Sequence, residues 1–273
     1  MKIFFSAKSI VLALCLCAMS ALAWAGVNPK PFVVPELKEW HGAEGQMTLS
    51  GKYVVKGGKA ALEVGEMFAA DYGNLMGTQL TLKNGKPSAG DIVLVLKADK
   101  SLGQEGYRIS IGDVTTVSAA TVKGLKWGTR TVLQMAEQNK SNGGALPKGN
   151  IVDTPEYGLR GFMMDCGRKF IPMDYLRSLV KTMAYYKMNT LQIHLNDNGF
   201  RQFFDNDWDK TQAAFRLECD TYPGLTARDG SYTKKEFIDL QKLVPDYNFG
   251  CSSLQKIYAI LFDMKISKSQ QLS

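Results

Sequence analysis

The sequence predicts two domains of different type: an α+β domain over residues 26–153 and, from residue 154, a domain of alternating strands and helices. Two observations carry this. From Val27 to about Val152, short apolar or period-two runs crowd between glycine turns and lead into one helical stripe, the pattern of an α+β domain. Beyond a stretch rich in Asn, Gly and Ser the rhythm becomes strand, helix, strand, helix. A strand, a crossover helix and a second strand in that order favour a parallel pair with a right-handed connection, the opening of a barrel or of a doubly wound sheet.

The first twenty-five residues read as a leader. Lys2 and Lys8 flank an apolar stretch, Ile10–Cys17, and Ala23-Trp24-Ala25 supplies a small-x-small cleavage signal before Gly26. The apolar run is shorter than the roughly 20 residues a membrane-spanning helix needs, so no stable membrane insertion is expected. Leu14 and Leu16 precede Cys15 and Cys17 where lipidation wants a small residue. A secreted or periplasmic protein beginning at Gly26 is the expectation.

In the first domain Ile92–Leu96 is a compact apolar run, Tyr107–Ile111 alternates with period two, and Val114–Ser118 offers a third strand. Gly103, Gly106, Gly112 and Asp113 mark the turns between them. Residues 120–137 place Val122, Leu125, Val132, Leu133 and Met135 at helical spacing. Residues 139–150 are dense in turn formers and predict a domain boundary or a long surface loop.

In the second domain Gly161–Asp165 is an apolar run ending in a carboxylate. Residues 174–187 carry Leu176, Leu179, Val180, Met183 and Ala184 on a helical face, and Leu191, Ile193 and Leu195 alternate as a second strand. A second helix is announced by Thr233-Lys-Lys-Glu236, in which threonine and glutamate can satisfy each other's free amides, followed by Phe237, Leu240 and Val244. Pro245 predicts its end.

Net charge narrows the partners. The formal charge of +7 falls by two with Lys2 and Lys8 to +5, with no run of like charge and no basic patch interleaved with aromatics, so no nucleic-acid surface is indicated. Beyond the leader stand Cys166, Cys219 and Cys251, an odd number at wide spacing, and the two histidines, His41 and His194, form no local ligand pair. The residues imply neither a metal nor another cofactor.

Polar groups at the carboxyl ends of parallel strands face the ligand site in such folds. Two clusters stand there, Asp165-Cys-Gly-Arg168 and His194-Leu-Asn-Asp197. An arginine beside an aspartate suits sugar hydroxyls, since the guanidinium donates in a fixed plane and the carboxylate accepts. A structural ion pair tying two loops together is the alternative. His194, a lone histidine in a strand, reads as packed or hydrogen-bonded.

Residues 159–199 resemble the opening of the catalytic barrel of family 20 glycoside hydrolases, which shows R-G, then D-x-x-R, K-x-N and H-[LF]-x-D. Those elements occur in order as Arg160-Gly161, Asp165 to Arg168, Lys187 to Asn189 and His194 to Asp197. Gly167-Arg-Lys-Phe170 and Asn198 are more similar to the lacto-N-biosidase and dispersin branch. Upstream, Gly106–Ile111 and Gly124–Gln134 resemble the α+β domain preceding those barrels.

The resemblance implies an α+β domain followed by the first two β/α units of a TIM (β/α)8 barrel, and an enzyme of β-N-acetylhexosaminidase type. It implies that Arg168 and Asp197 bind the 3- and 4-hydroxyls of a terminal N-acetylhexosamine and that Asp165 supports Arg168. In that family the sugar's own 2-acetamido oxygen attacks the anomeric carbon, a glutamic acid protonates the leaving oxygen and the adjacent aspartate orients the amide, an exception to the two-carboxylate scheme.

No Asp-Glu pair follows Thr233 in this sequence, and residues 249–273 lose the pattern, so they read as a divergent or frameshifted tail, or as one amphipathic helix over 254–264. Residues 154–273 are also too few for an eight-stranded barrel of about 250 residues. The expectation is an incomplete barrel with no catalytic residue assignable, and a chain that is inactive. A carbohydrate-binding remnant, or a truncated product stable only in its first domain, is the alternative.

Overall fold

The computed structural model describes residues 26–198, 200–207, 210, 213–221 and 226–247. They separate into two compact units, one up to Thr154 and one from Pro155. The leader and the segment from Asn248 onward lie outside the described residues.

The first unit is a seven-stranded mixed sheet with two helices. Its strands are β1 (Glu39–Met47), β2 (Lys52–Lys56), β3 (Thr81–Leu82), β4 (Ile92–Leu96), β5 (Tyr107–Ile111), β6 (Thr115–Ala119) and β7 (Leu146–Asp153), in the spatial order β1-β7-β5-β6-β4-β2-β3. Parallel pairing of β4 with β2 and β6 explains its unbroken apolar run, because a strand inside a parallel region is covered on both faces. In β5 the alternation places Tyr107, Ile109 and Ile111 inside and Arg108 and Ser110 outside. The strand expected at Val114–Ser118 runs one residue later, with Thr115, Val117 and Ala119 buried.

Helix α1 (Gly58–Met76) and helix α2 (Val122–Gln138) pack on each other and on the sheet. α1 buries Ala61, Val64, Phe68, Tyr72 and Met76 along one stripe and closes at Gly77, whose φ of 76° suits a residue without Cβ. Each fully buried apolar side chain in that stripe contributes about 1.5–3 kcal/mol. α2 starts where the Thr121 hydroxyl accepts from the Gly124 amide at 3.1 Å. It is buried nearly all round, and its Arg130 meets Asp71 of α1 at 2.5 Å.

The carboxylate of Asp91, before β4, is almost wholly buried and accepts from Ser50 Oγ, Lys83 Nζ and the Ser88 amide, each at 2.7 Å. Burial alone would raise its pKa, but these donors win and hold it at about 2.

Residues 139–150 depart from the loop reading. Leu146 onward forms β7, paired with β1 on one side and β5 on the other, with Leu146 and Ile151 fully buried. Its Pro, Lys, Gly and Asn residues disguise a strand. Pairing with β5 begins at Gly149, so Pro147 sits where only β1 lies alongside, a position that tolerates a missing N–H.

In the second unit β8 (Gly161–Asp165) runs parallel to β9 (Thr190–His194), joined through α3 (Met173–Tyr185). Met173, Leu176, Val180, Met183 and Ala184 are buried on α3. The helix stops two residues before the expected Lys187, which adopts a left-handed φ of 58° and donates its amide to Ala184 O at 2.9 Å, turning the chain toward β9. Beyond β9, β10 (Asn196–Asn198) pairs antiparallel with β11 (Ala213–Phe215), an insertion the sequence reading did not foresee. α4 (Lys234–Asp246) follows, packed on α3, with Phe237, Leu240 and Val244 buried. Its capping box is formed: the Thr233 amide donates to Glu236 Oε2 at 2.9 Å and the Glu236 amide to Thr233 Oγ1 at 3.1 Å.

Candidate functional site

The β8/β9 register sets Asp165 opposite His194, so both strands end at the same level. From β8 the chain passes through buried Cys166 and Gly167 to Arg168. A Cβ on Gly167 would come within 2.9 Å of Asn196 C and Asp197 N, so only glycine lets this loop lie against β10. That approach brings Arg168 to Asp197.

The guanidinium of Arg168 bridges two carboxylates, Nη1 to Asp165 Oδ2 at 2.6 Å and Nη2 to Asp197 Oδ2 at 2.6 Å, and its amide donates to Asp165 Oδ1 at 3.0 Å. His194 stands between the same carboxylates, Nδ1 3.6 Å from Asp165 Oδ1 and Nε2 3.5 Å from Asp197 Oδ2. These distances are long for hydrogen bonds but short for a charge interaction. His194 is therefore not packed away in the core, since its side chain is 28% exposed.

Burial works to raise the Asp165 carboxyl, yet the amide and guanidinium of Arg168, with His194 beside them, outweigh it and hold the group below the usual carboxylate range. The hydrogen bond to Asp165 in turn raises Arg168. An aspartate so held is ionised at neutral pH, accepts hydrogen bonds and has no proton to give. The cluster thus offers guanidinium donors and carboxylate acceptors at one partly open edge, which suits hydroxyl recognition.

A second arginine, absent from the sequence reading, supports this level of the unit. Arg216 is fully buried; its Nε donates to Cys166 O at 2.6 Å, Nη2 to Gly167 O at 3.0 Å and Nη1 to Gly230 O at 2.9 Å, while both terminal nitrogens engage Asp229. It therefore ties the loop leading to Arg168 to the segment before α4. Nothing local in Phe215-Arg216-Leu217 marks the arginine as internal, because its partners lie far off in sequence. Burial pushes the Cys166 thiol and, much further, the Tyr232 phenol above their ordinary ranges; the Tyr232 hydroxyl donates to Ile171 O at 2.6 Å.

Among the described residues no group of three or more His, Cys, Asp or Glu side chains could hold a metal ion, and no helix is long and apolar enough to cross a membrane.

Residues 30–154 match glycosyl hydrolase family 20, domain 2, and residues 157–259 match the family 20 catalytic domain. The chain belongs to glycoside hydrolase family 20. The catalytic-domain match extends past Asn248 to residue 259, into the stretch expected to be a divergent tail. A β-hexosaminidase of Akkermansia muciniphila is 30% identical over 141 residues, which are 51% of this chain and 29% of that protein. A β-N-acetylhexosaminidase of Cellulomonas fimi is 28% identical over 178 residues, 64% of this chain and 35% of that one. Among solved structures, a mutant Streptomyces plicatus β-hexosaminidase in complex with its product GlcNAc superposes with a TM-score of 0.68 at 25% identity, over 82% of this chain and 45% of that chain. This family 20 chain thus spans about a third of the two curated relatives. Its fold is that of the family's N-terminal domain followed by the start of the catalytic TIM-barrel domain.

Proposed function

We propose that the second unit supplies the sugar-gripping part of a β-N-acetylhexosaminidase site, with Arg168 and Asp197 holding the 3- and 4-hydroxyls of a terminal N-acetylhexosamine. Asp165 and His194 flank the guanidinium and keep it oriented. The observation that carries this is the Arg168 fork fixed between the Asp165 and Asp197 carboxylates at the strand ends, with Asp165 held below the usual carboxylate range. Family membership and relatives that are β-hexosaminidases support the substrate class. In the complete family site the acetamido group of the sugar serves as nucleophile, with retention at the anomeric carbon, while a glutamic acid protonates the leaving oxygen.

The Asp165, Arg168, His194 and Asp197 cluster supplies no group assigned to protonating the leaving oxygen, so on this reading it grips the sugar and does not by itself hydrolyse it. Export of the chain begins with removal of residues 1–25, which places it in the periplasm or outside the cell.

Three measurements on purified protein test this. Titration with N-acetylglucosamine should show saturable binding that Arg168→Lys weakens; absence of binding by a folded chain removes the reading. An aryl N-acetylglucosaminide should show no steady turnover sensitive to a hexosaminidase inhibitor, and such turnover would mean that an acid elsewhere serves. N-terminal sequencing of exported protein should start at Gly26, whereas a retained Met1 would exclude the leader.

A further inference from the structure

We infer that Phe200 is a positioning residue for Arg168, whose guanidinium is held by the Asp165 and Asp197 carboxylates and also by the Phe200 ring. The inference rests on reading Arg168 as the sugar grip. Asp165 and Asp197 engage the guanidinium along its edge, each at 2.6 Å. In-plane ion pairs fix where the fork points but leave it free to rock about the line joining the two carboxylates. Arg168 Cζ lies over the Phe200 ring, 5.4 Å from its centroid, so the ring is placed to oppose that rocking.

Phe200 is itself braced by an edge-on contact with Phe203 at 6.1 Å, and the neighbouring cation, Lys169, lies 5.0 Å from the Phe203 ring. Two consecutive cations thus face two aromatic rings across adjacent loops. Both phenylalanines stay about half exposed, so burial alone does not account for their placement. A planar donor must be aligned before it can serve two adjacent hydroxyls, and prior alignment removes part of the ordering that binding otherwise requires.

The experiment uses the 273-residue chain as wild type, Phe200→Leu and Phe200→Tyr, the leucine keeping apolar bulk without the ring and the tyrosine restoring it. N-acetylglucosamine affinity is measured by ligand-observed NMR, with melting curves beside it. The Nε–H resonance of Arg168, assigned from its loss in Arg168→Lys, reports the ring directly. Phe200→Leu should shift that resonance and weaken the sugar roughly two- to fivefold at unchanged melting temperature, and Phe200→Tyr should restore both. A resonance indifferent to Phe200→Leu overturns the inference, as does equal affinity in that variant and wild type. So does an affinity loss that follows a lowered melting temperature and is not rescued by tyrosine. A wild-type chain that binds no sugar while its Arg168 resonance responds to Phe200→Leu refutes instead the sugar grip on which the inference is built.

Discussion

Replacing Arg216 by methionine keeps an unbranched apolar stem of the side chain and deletes its five donors. Three carbonyls, of Cys166, Gly167 and Gly230, lose their guanidinium partner, and Asp229 loses a bidentate cation. A buried acceptor left without a donor costs about 1–3 kcal/mol. Asp229 is 29% exposed and can rehydrate, which lowers its share of the loss. Breaking a buried ion pair from one side typically costs about 3–5 kcal/mol, and the same range is expected here.

Hydrogen exchange is the suitable assay because the two units need not unfold together. Amides of residues 161–166 and 190–195 should exchange roughly 10²- to 10³-fold faster in Arg216→Met, while those of 107–119 in the other unit serve as an internal reference. Arg216→Lys should fall between, restoring a point charge for Asp229 but not the three carbonyl contacts. Less than about tenfold acceleration in β8 and β9, with the variant otherwise folded, would show that Arg216 is not the tie described above.

Further outcomes follow from the same geometry. Asp91, held at about 2 against a reference of 3.8, has its folded pKa lowered, so its contribution of about 2 kcal/mol is present above pH 4 and disappears as pH falls toward 2; acid unfolding of wild type and Asp91→Asn should converge at the low end, and curves that stay parallel would contradict the assignment. Thr233→Ala removes one half of the α4 capping box and should lower the stability of the second unit by about 1 kcal/mol in denaturant titration. The Glu236 carboxyl is lowered chiefly by the Thr233 amide, so the box should also weaken on acidification below its reference of 4.5, and a stability indifferent to pH there would count against it. Arg168→Lys should weaken N-acetylglucosamine binding about tenfold or more while His194→Gln weakens it less; the reverse order would give the leading role to the histidine.

What could be read from the sequence were features whose partners are near. The β5 alternation, the apolar β4 and the Thr233–Glu236 box each involve residues a few positions apart, and each is visible without knowing the fold. α1 carried a helical stripe, Ala61, Val64, Phe68 and Tyr72, but Gly57, Gly58, Gly65 and Gly73 run through it and depress its helical signal. β7 was hidden by composition, since Leu146–Asn150 has the residues of a turn and becomes a strand only because β1 and β5 supply partners on either side. At the site, Asp165, Arg168, Asp197 and His194 were legible because strand ends are predictable from pattern. Arg216 and Phe200 were not, because the first is defined by Asp229 and three distant carbonyls and the second by a guanidinium more than thirty positions upstream.

The missing side chain at Gly167 gives this arrangement a property of its own. The spacing between Arg168 and Asp197 is set by backbone lying on backbone, since any Cβ there would meet Asn196 and Asp197 before another contact could form. Side chains at the rim, such as Lys169 and Phe203, can change without altering that spacing. Substitution at the rim can therefore redraw what surrounds the Arg168 and Asp197 pair, but the gauge between donor and acceptor is cast in the main chain and changes only if the loop itself is rebuilt.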